Sequence, residues 1–357
     1  MGRRVALVSA AGEFAGAERY LVVLVEALAA SADFTAIVPE RAPGETEREL
    51  GRAGARVERL DGLGRRPRPG IVLRLARLLR RLGPELVHVN LTDQGDGLPA
   101  LLAARLAGVP AVATIHVVVP GRGPVREALS RRALAGCRAL IGVSEATAAY
   151  AARNGLRVNV VRNGLPPPVA AEDAREALSD EPGFLVGGVG RLSRQKGWDV
   201  LCEAAGLVRA GRPDVHFVVV GEGEEAAALA AEPACRDVRF LGYRRGASSL
   251  LAGLDLLAMP SRFEGLPLVA IEAMHLGVPV VATEVGGVRE VLGDCGVLVP
   301  PEDPPALARA IEDLARDADR RADLAARGRQ RARGLFSAER MARETAAVYD
   351  AVLEGRA

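Results

Sequence analysis

The stretch SRFEGLPLVAIEAMHLGVPVV, residues 261–281, decides the fold. Just ahead of it an apolar run at 254–259 has the length and composition of a buried parallel strand, and Pro260 and Ser261 stop it. A loop with Gly265 and Pro267 follows, after which Leu268, Ile271, Ala273 and Met274 recur at helical spacing. Pro267 suits the first turn of that helix, where a missing N–H loses nothing. Strand, loop and helix in this order form the repeating unit of a parallel α/β sheet. The corner sets Glu264 beside a helix N-terminus, with Glu272 two turns further in. Spacing leaves two readings: Glu264 as a loop carboxylate complementing the helix dipole and Glu272 as a solvated helix residue, or the pair as acceptors for the hydroxyls of a polyol.

A second corner shifts that balance. In GVGRLSRQKGWDVL, residues 188–201, an apolar strand at 184–189 runs into a loop carrying Arg191 and Lys196, and a helix follows. Two fixed cations at the C-terminal edge of a parallel sheet suit a diphosphate. Of the 47 lysines and arginines in the chain only Lys196 is a lysine. A composition that otherwise uses arginine throughout marks this position as one that takes a compact ammonium rather than a planar fork.

Together these stretches resemble the retaining nucleotide-sugar glycosyltransferases of family four. The resemblance rests on Glu264 and Glu272, GRLSRQKG, Asn163-Gly164, VVVGEGEE at 218–225, FLGY at 240–243, VGG at 285–287, ATIH at 113–116 and AGAER at 15–19. It spans nearly the whole chain. It implies an α/β protein of two Rossmann-like doubly wound domains facing a central cleft, the GT-B fold. The expected boundaries are 1–165 for an acceptor-side domain, with a C-terminal helix at about 337–357 packing back on it, and 166–336 for the nucleotide-sugar donor domain. The activity implied is a retaining, metal-independent hexosyl transfer from a nucleoside-diphosphate sugar to a hydroxyl in carbohydrate biosynthesis, with UDP-sugars ahead of GDP-sugars and no cofactor. Arg191 and Lys196 would neutralise the departing diphosphate, Glu264 would meet the sugar hydroxyls, and His116 would face sugar and acceptor. Gly16, Gly221, Gly223, Gly242, Tyr243, Gly265, Leu266, Leu268 and Glu272 would line the donor, with Glu272 at the ribose. In the family the Gly16 loop usually holds a Gly-Gly pair, and Ala15 replaces the first glycine here.

The rest of the chain fits that frame. A chain of 357 residues is long enough for two domains with large cores. The first half alternates strands at 5–9, 34–38, 57–59, 86–89, 111–115, 139–143 and 158–161 with helices, and NGLPPP at 163–168 punctuates the chain as a linker. Strands follow at 184–189, 216–220, 238–241, 254–259, 278–282 and 296–299. The loop at 10–16 carries Gly12 and Gly16 ahead of a helix, so its backbone can approach a ligand closely. His88 lies near the same sheet edge as His116, and His216 and His275 read as packing residues. In the tail, Met341, Thr345, Val348 and Val352 share one helical face.

Charge divides the halves. Residues 1–165 hold 24 basic and 15 acidic side chains, whereas 166–357 hold 23 and 30. The basic half is the one to meet an anionic partner, either an anionic acceptor or a peripheral membrane surface on the inner face, with Arg122, Arg126, Arg131 and Arg132 following His116. The amphipathic, arginine-faced segment 65–83 fits a membrane-surface helix or an ordinary outer helix. No apolar run reaches transmembrane length, and nothing in the pattern suggests nucleic acid. Cys137, Cys202, Cys235 and Cys295 lie far apart without metal-ligand spacing, which reads as reduced thiols in a cytoplasmic protein and no metal site. Asp317-Ala318-Asp319 imitates a metal-binding pair but falls in a charged helical run with a solvated face. VVVGEGEEA imitates a dinucleotide fingerprint. Its strand is not the first of its domain and the next strand end lacks an acid for the ribose, so an NAD(P)-dependent oxidoreductase ranks low. A sugar-nucleotide epimerase or hydrolase of related fold is the nearer alternative.

Overall fold

The apolar runs become two parallel sheets in the computed structural model, which describes residues 2–11, 13–40, 44–63, 69–119 and 123–356. The first sheet contains β1 (Arg3–Ser9), β2 (Ala32–Pro39), β3 (Arg56–Leu60), β4 (Leu86–Asp93), β5 (Ala111–Val117), β6 (Ala139–Gly142) and β7 (Asn159–Val160), in the order β3-β2-β1-β4-β5-β6-β7. The second contains β8 (Phe184–Val189), β9 (Val215–Val220), β10 (Val238–Phe240), β11 (Leu256–Met259), β12 (Val280–Thr283) and β13 (Val297–Val299), in the order β10-β9-β8-β11-β12-β13. Each is a doubly wound sheet whose strand order reverses beside its first strand, between β1 and β4 and between β8 and β11. At such a switch point the two strand-end loops diverge and leave a crevice. One compact unit comprises Met1–Leu165 with Ser337–Ala357, the other Pro166–Phe336. Gly12, Arg122 and residues 65–68 lie outside the described residues, as does the side chain of Arg126.

In the first unit the C-terminal helix Ala338–Leu353 returns after the whole of the unit Pro166–Phe336 has intervened, and specific contacts fix it there. Met341, Thr345, Val348 and Val352 are buried along one face. Asp350 takes a two-pronged contact from Arg3, with Nε and Nη2 each 2.7 Å from a carboxylate oxygen. Gly164 has no room for a side chain, since a β-carbon would fall 2.0 Å from the Ser337 carbonyl oxygen. His88, near the sheet edge in sequence, is fully enclosed beneath this helix: Nδ1 meets the Tyr349 hydroxyl and Nε2 the Thr114 hydroxyl at 2.7 Å. Helix Pro69–Leu82 turns Ile71, Leu75, Leu78 and Leu79 into the core, so its apolar face is covered as in an ordinary outer helix and does not await a membrane.

Burial pushes the pKa of His88 down to about 3, and that of His116 likewise. The unfolded chain protonates histidine near 6.5, so below that pH the unfolded state binds protons that the folded state refuses. Stability is therefore expected to be level in this respect above pH 6.5 and to fall by about 1.4 kcal/mol per pH unit per histidine as pH drops towards 3. Urea midpoints measured from pH 7 to 4 check this, with His88→Gln expected to show a shallower fall than the parent; an identical slope would assign the acid sensitivity elsewhere.

In the second unit two expectations are corrected and one is refined. The charged run around Asp317 keeps Asp317, Ala318 and Asp319 exposed on a solvated face, but it is two helices rather than one. It breaks at Asp317 between helices Pro304–Arg316 and Ala318–Leu335, because the Asp317 carboxylate accepts the Arg320 N–H at 2.8 Å and caps the second. Helix Ala318–Leu335 then extends arginines onto the open carbonyls of other helix ends: Arg331 to Glu290 and Val291, both at 2.8 Å, Arg329 to Leu276 at 3.2 Å, and Arg321 to Leu314 and Ala315. Forked donors at helix C-termini are one use of an arginine-rich composition that lysine would serve less well. Pro267 stands just ahead of helix Leu268–Leu276 in an extended conformation rather than in its first turn. The cysteines are not all thiols: Cys202 and Cys235 form a disulfide joining helix Trp198–Gly211 to the turn Pro233–Asp237. Packing of that turn on that helix decides the pairing, which 33 residues of separation conceal in the sequence. Cys137 and Cys295 are free. Disulfides favour oxidising surroundings, so the thiol argument for a cytoplasmic location does not hold. No helix among the described residues is long and apolar enough to cross a membrane.

Candidate active site

The strand order brings the two quoted corners together. β8 and β11 are neighbours across the switch point, so the loop at 190–197 and the loop at 260–267 flank one crevice. Lys196 Nζ lies 2.6 Å from Glu264 Oε1, and the Ser261 hydroxyl donates to the same oxygen at 2.8 Å. Their side chains are 20% and 6% exposed. The Lys196 loop folds this way because Trp198 lies under it. The indole Nε1 donates to the Arg191 carbonyl at 2.7 Å, and the ring fills the place that a β-carbon on Gly188 would occupy. Arg191 itself is exposed. The Glu264 loop is held by the VGG turn: Gly287 N–H donates to the Gly265 carbonyl at 2.9 Å, and Gly286 passes so close to the Glu264 carbonyl that only glycine fits.

Gly221 and Gly223 serve backbone approach. A β-carbon on Gly221 would fall 1.9 Å from the Gly190 oxygen, and one on Gly223 would fall 2.2 Å from the Leu192 oxygen. Leu192 N–H donates to the Glu222 carbonyl at 2.8 Å, and Glu225 N–H to the Leu192 carbonyl at 2.9 Å, so the loop after β9 braces the Arg191 loop. Gly242, at φ 69, accepts from the Gly221 N–H, and Tyr243 beside it is exposed. Gly265 and Leu266 are buried in the Glu264 loop and Leu268 is half-buried at the helix start. Glu272 is not a solvated helix residue: it is 4% exposed and accepts from the Ser248 hydroxyl at 2.9 Å.

Gly16 and His116 belong to the other unit. Gly16 opens helix Gly16–Leu28 after an extended Ala15. The buried Glu18 of the first turn reaches back, accepting from the Ser9 hydroxyl at 3.0 Å and the Ala15 N–H at 3.3 Å. This helix start thus already carries a carboxylate. His116 is 6% exposed, edge-on to Tyr20, with Nε2 2.8 Å from Asn90 Oδ1. Asn90 donates its amide to the Ala17 carbonyl, so its oxygen accepts from Nε2–H and leaves the lone pair on His116 Nδ1. With a pKa near 3, caused first by burial and then by His88, the ring is neutral and a weak base.

Ser261, Ser248, Asn90, Trp198 and Glu18 escaped the sequence reading as functional contacts. Only Ser261 carried a signal, three residues before Glu264 in the same loop.

Comparison with known proteins agrees with this geometry. A family model described as glycosyl transferases group 1 matches residues 183–317, and one described as Glycosyltransferase Family 4 matches 14–167. A 2-deoxystreptamine glucosyltransferase of Streptomyces kanamyceticus is 32% identical over 305 residues, covering 76% of this chain and 79% of that protein. A 2-deoxystreptamine N-acetyl-D-glucosaminyltransferase of Streptomyces fradiae is 31% identical over 337 residues, covering 83% and 79%. Among solved structures, Anabaena Alr3699/HepE in complex with UDP-glucose superposes with a TM-score of 0.84 at 22% identity, over 98% of this chain and 99% of that one. Two doubly wound parallel sheets, family models on both and relatives matched along most of their length lead to one conclusion: the chain belongs to the family 4 glycosyltransferases and has the GT-B fold.

Proposed function

We propose that the protein transfers a hexosyl group from a UDP-sugar to an acceptor hydroxyl with retention at the anomeric carbon and without a metal. The observation that carries this reading is the contact of Lys196 with Glu264 across the crevice between the ends of β8 and β11. An ammonium there neutralises the diphosphate as it leaves, in the place a divalent cation would otherwise take. Arg191 adds a second charge, and Glu264 accepts from the sugar hydroxyls while Lys196 turns to the phosphate. Glu272, already bonded to Ser248, accepts from the ribose, with Gly242, Tyr243, Gly265, Leu266 and Leu268 around the nucleotide. The donor domain is then 166–336, and residues 1–165 with 337–357 form the acceptor side, where Gly16 borders the donor and neutral His116 offers a polar contact.

In the step itself the bond from the anomeric carbon to the diphosphate oxygen breaks and a bond to the acceptor oxygen forms on the same face. The acceptor proton passes to the leaving phosphate oxygen. No group among those described in the crevice is placed as a covalent nucleophile, and none is required by this route.

The relatives' names favour a polyol acceptor of the aminocyclitol class. The excess of basic side chains in residues 1–165 favours instead an anionic acceptor or an anionic membrane face. The experiment is a donor screen in which nucleotide release is followed with 2-deoxystreptamine, anionic polyols or anionic vesicles, at increasing salt and with a chelator. UDP-sugars are expected to turn over, to give the α-anomer from an α-donor, and to be indifferent to the chelator. Inversion, or loss of activity on chelation, would overturn the mechanism; a flat salt response would remove the anionic acceptor.

A further inference from the structure

Arg262 has no part in the reading above, yet it joins the two loops that carry Lys196 and Glu264. Its guanidinium uses all five N–H groups: Nε and Nη2 on the two Glu302 oxygens, Nη1 and Nη2 on Asp199 at 2.9 and 2.7 Å, and Nη1 again on the Arg194 carbonyl at 3.0 Å. Its own backbone N–H donates to the Gln195 carbonyl at 2.7 Å, and the Gln195 amide returns a bond to the Phe263 carbonyl at 3.0 Å. Residues 194 and 195, immediately before Lys196, are thus tied to residues 262 and 263, immediately before Glu264. The join is tight at its base, where Gly197 at φ 66 would place a β-carbon 2.2 Å from the Pro260 oxygen.

Two further observations indicate that the position is built for a fork. Glu302 is the one non-glycine residue with positive φ, 57°, among those described. Such a backbone costs of order 1–3 kcal/mol unless its surroundings hold it, and here the Glu302 carboxylate is held by Arg262. Asp199 has its carboxyl held below the usual range, first by the Arg262 hydrogen bonds. The Arg262 side chain is 18% exposed while those of Asp199 and Glu302 are 49% and 55% exposed, so the brace acts through its fork geometry rather than through burial of the charges.

We propose that Arg262 is a positioning residue for the transfer reaction, setting the separation of Lys196 and Glu264 without touching either substrate. The proposal rests on the reading of those two residues given above. A lysine could supply three donors from one point and could not span Asp199, Glu302 and the Arg194 carbonyl together.

The test is Arg262→Met, which keeps the apolar stem and removes every donor. Turnover is expected to fall about 10- to 100-fold, as for a displacement of catalytic groups by about an ångström, with the donor Michaelis constant changing much less. Arg262→Lys is expected to recover part of the loss. Because Arg262 acts through Lys196, Arg262→Met made on top of Lys196→Ala is expected to cost less than about twofold further. Full multiplication of the two losses, or unchanged turnover in Arg262→Met, overturns the proposal. If Arg262→Met does not fold, Glu302→Gln removes one arm of the brace while Asp199 stays paired, and it should lower turnover several-fold; unchanged turnover overturns the proposal equally. If Lys196→Ala alone keeps the parent rate, the assignment of the crevice fails and this inference with it. If Lys196→Ala loses its rate and the brace variants do not, only the brace fails.

Discussion

Replacing Lys196 with alanine is expected to lower turnover about a hundredfold or more, the loss typical of one well-placed electrostatic donor, while the protein remains folded. The side chain stands on a loop and contributes little to the core, but it pairs with the Glu264 side chain, which is 6% exposed. Removing it leaves the buried Glu264 carboxylate bonded to the Ser261 hydroxyl but without its ammonium, so a modest loss of stability accompanies the loss of rate. The double variant Lys196→Ala with Glu264→Gln separates the two effects, because it should recover stability and not turnover. Arg191→Ala provides a cleaner comparison: its side chain is exposed, so its rate should fall with little change in unfolding temperature. Steady-state kinetics and thermal unfolding on the three variants decide the matter. Near-normal turnover in both single variants, with donor binding intact, would remove the diphosphate assignment.

Gly221→Ala is expected to be among the most destabilising small substitutions in the unit Pro166–Phe336, by roughly 2–5 kcal/mol from backbone strain and overpacking together. Its φ of 152° and the 1.9 Å separation from the Gly190 oxygen leave no flexible side chain to move aside. Relief requires that the loop after β8 shift, and Arg191 is the next residue along that loop. Variant that does fold should therefore also turn over slowly. Gly211→Ala is the control, since a β-carbon at that helix end meets nothing within 4 Å; its stability should match the parent within about 0.5 kcal/mol. Equal urea midpoints for Gly221→Ala and the control would show that the loops are not braced at this point.

Much of this was legible in order of residues alone. The strands were, because a strand buried on both faces must be an apolar run, and turn residues mark where each run stops. Strand 184–189 was read to the residue, whereas the strand read at 254–259 begins at Leu256, since the Leu254 N–H donates back to the Leu251 carbonyl and closes the preceding turn. The candidate residues were also legible, because a loop that ends a parallel strand points to the ligand edge whatever its neighbours are. The glycines of VVVGEGEE and VGG were found by pattern, but their reason was not: Gly221, Gly223 and Gly286 each let one loop pass against another loop's carbonyl.

What the sequence by itself determined, then, is local: which residues are strand, which loops stand at the edge, and which of those carry unusual charge. What only the tertiary structure decided is adjacency. No periodicity along the chain states that β8 lies beside β11, and with that one neighbour relation come the Lys196–Glu264 contact and the Arg262 brace. The same holds for Cys202 with Cys235, for His88 under Tyr349, and for the arginines that close other helices' ends. The physical reason is that apolar burial fixes which face of each element turns inward, through a force without direction, whereas hydrogen bonds, ion pairs and a disulfide depend on separations of a few ångströms that exist only once the layers have packed.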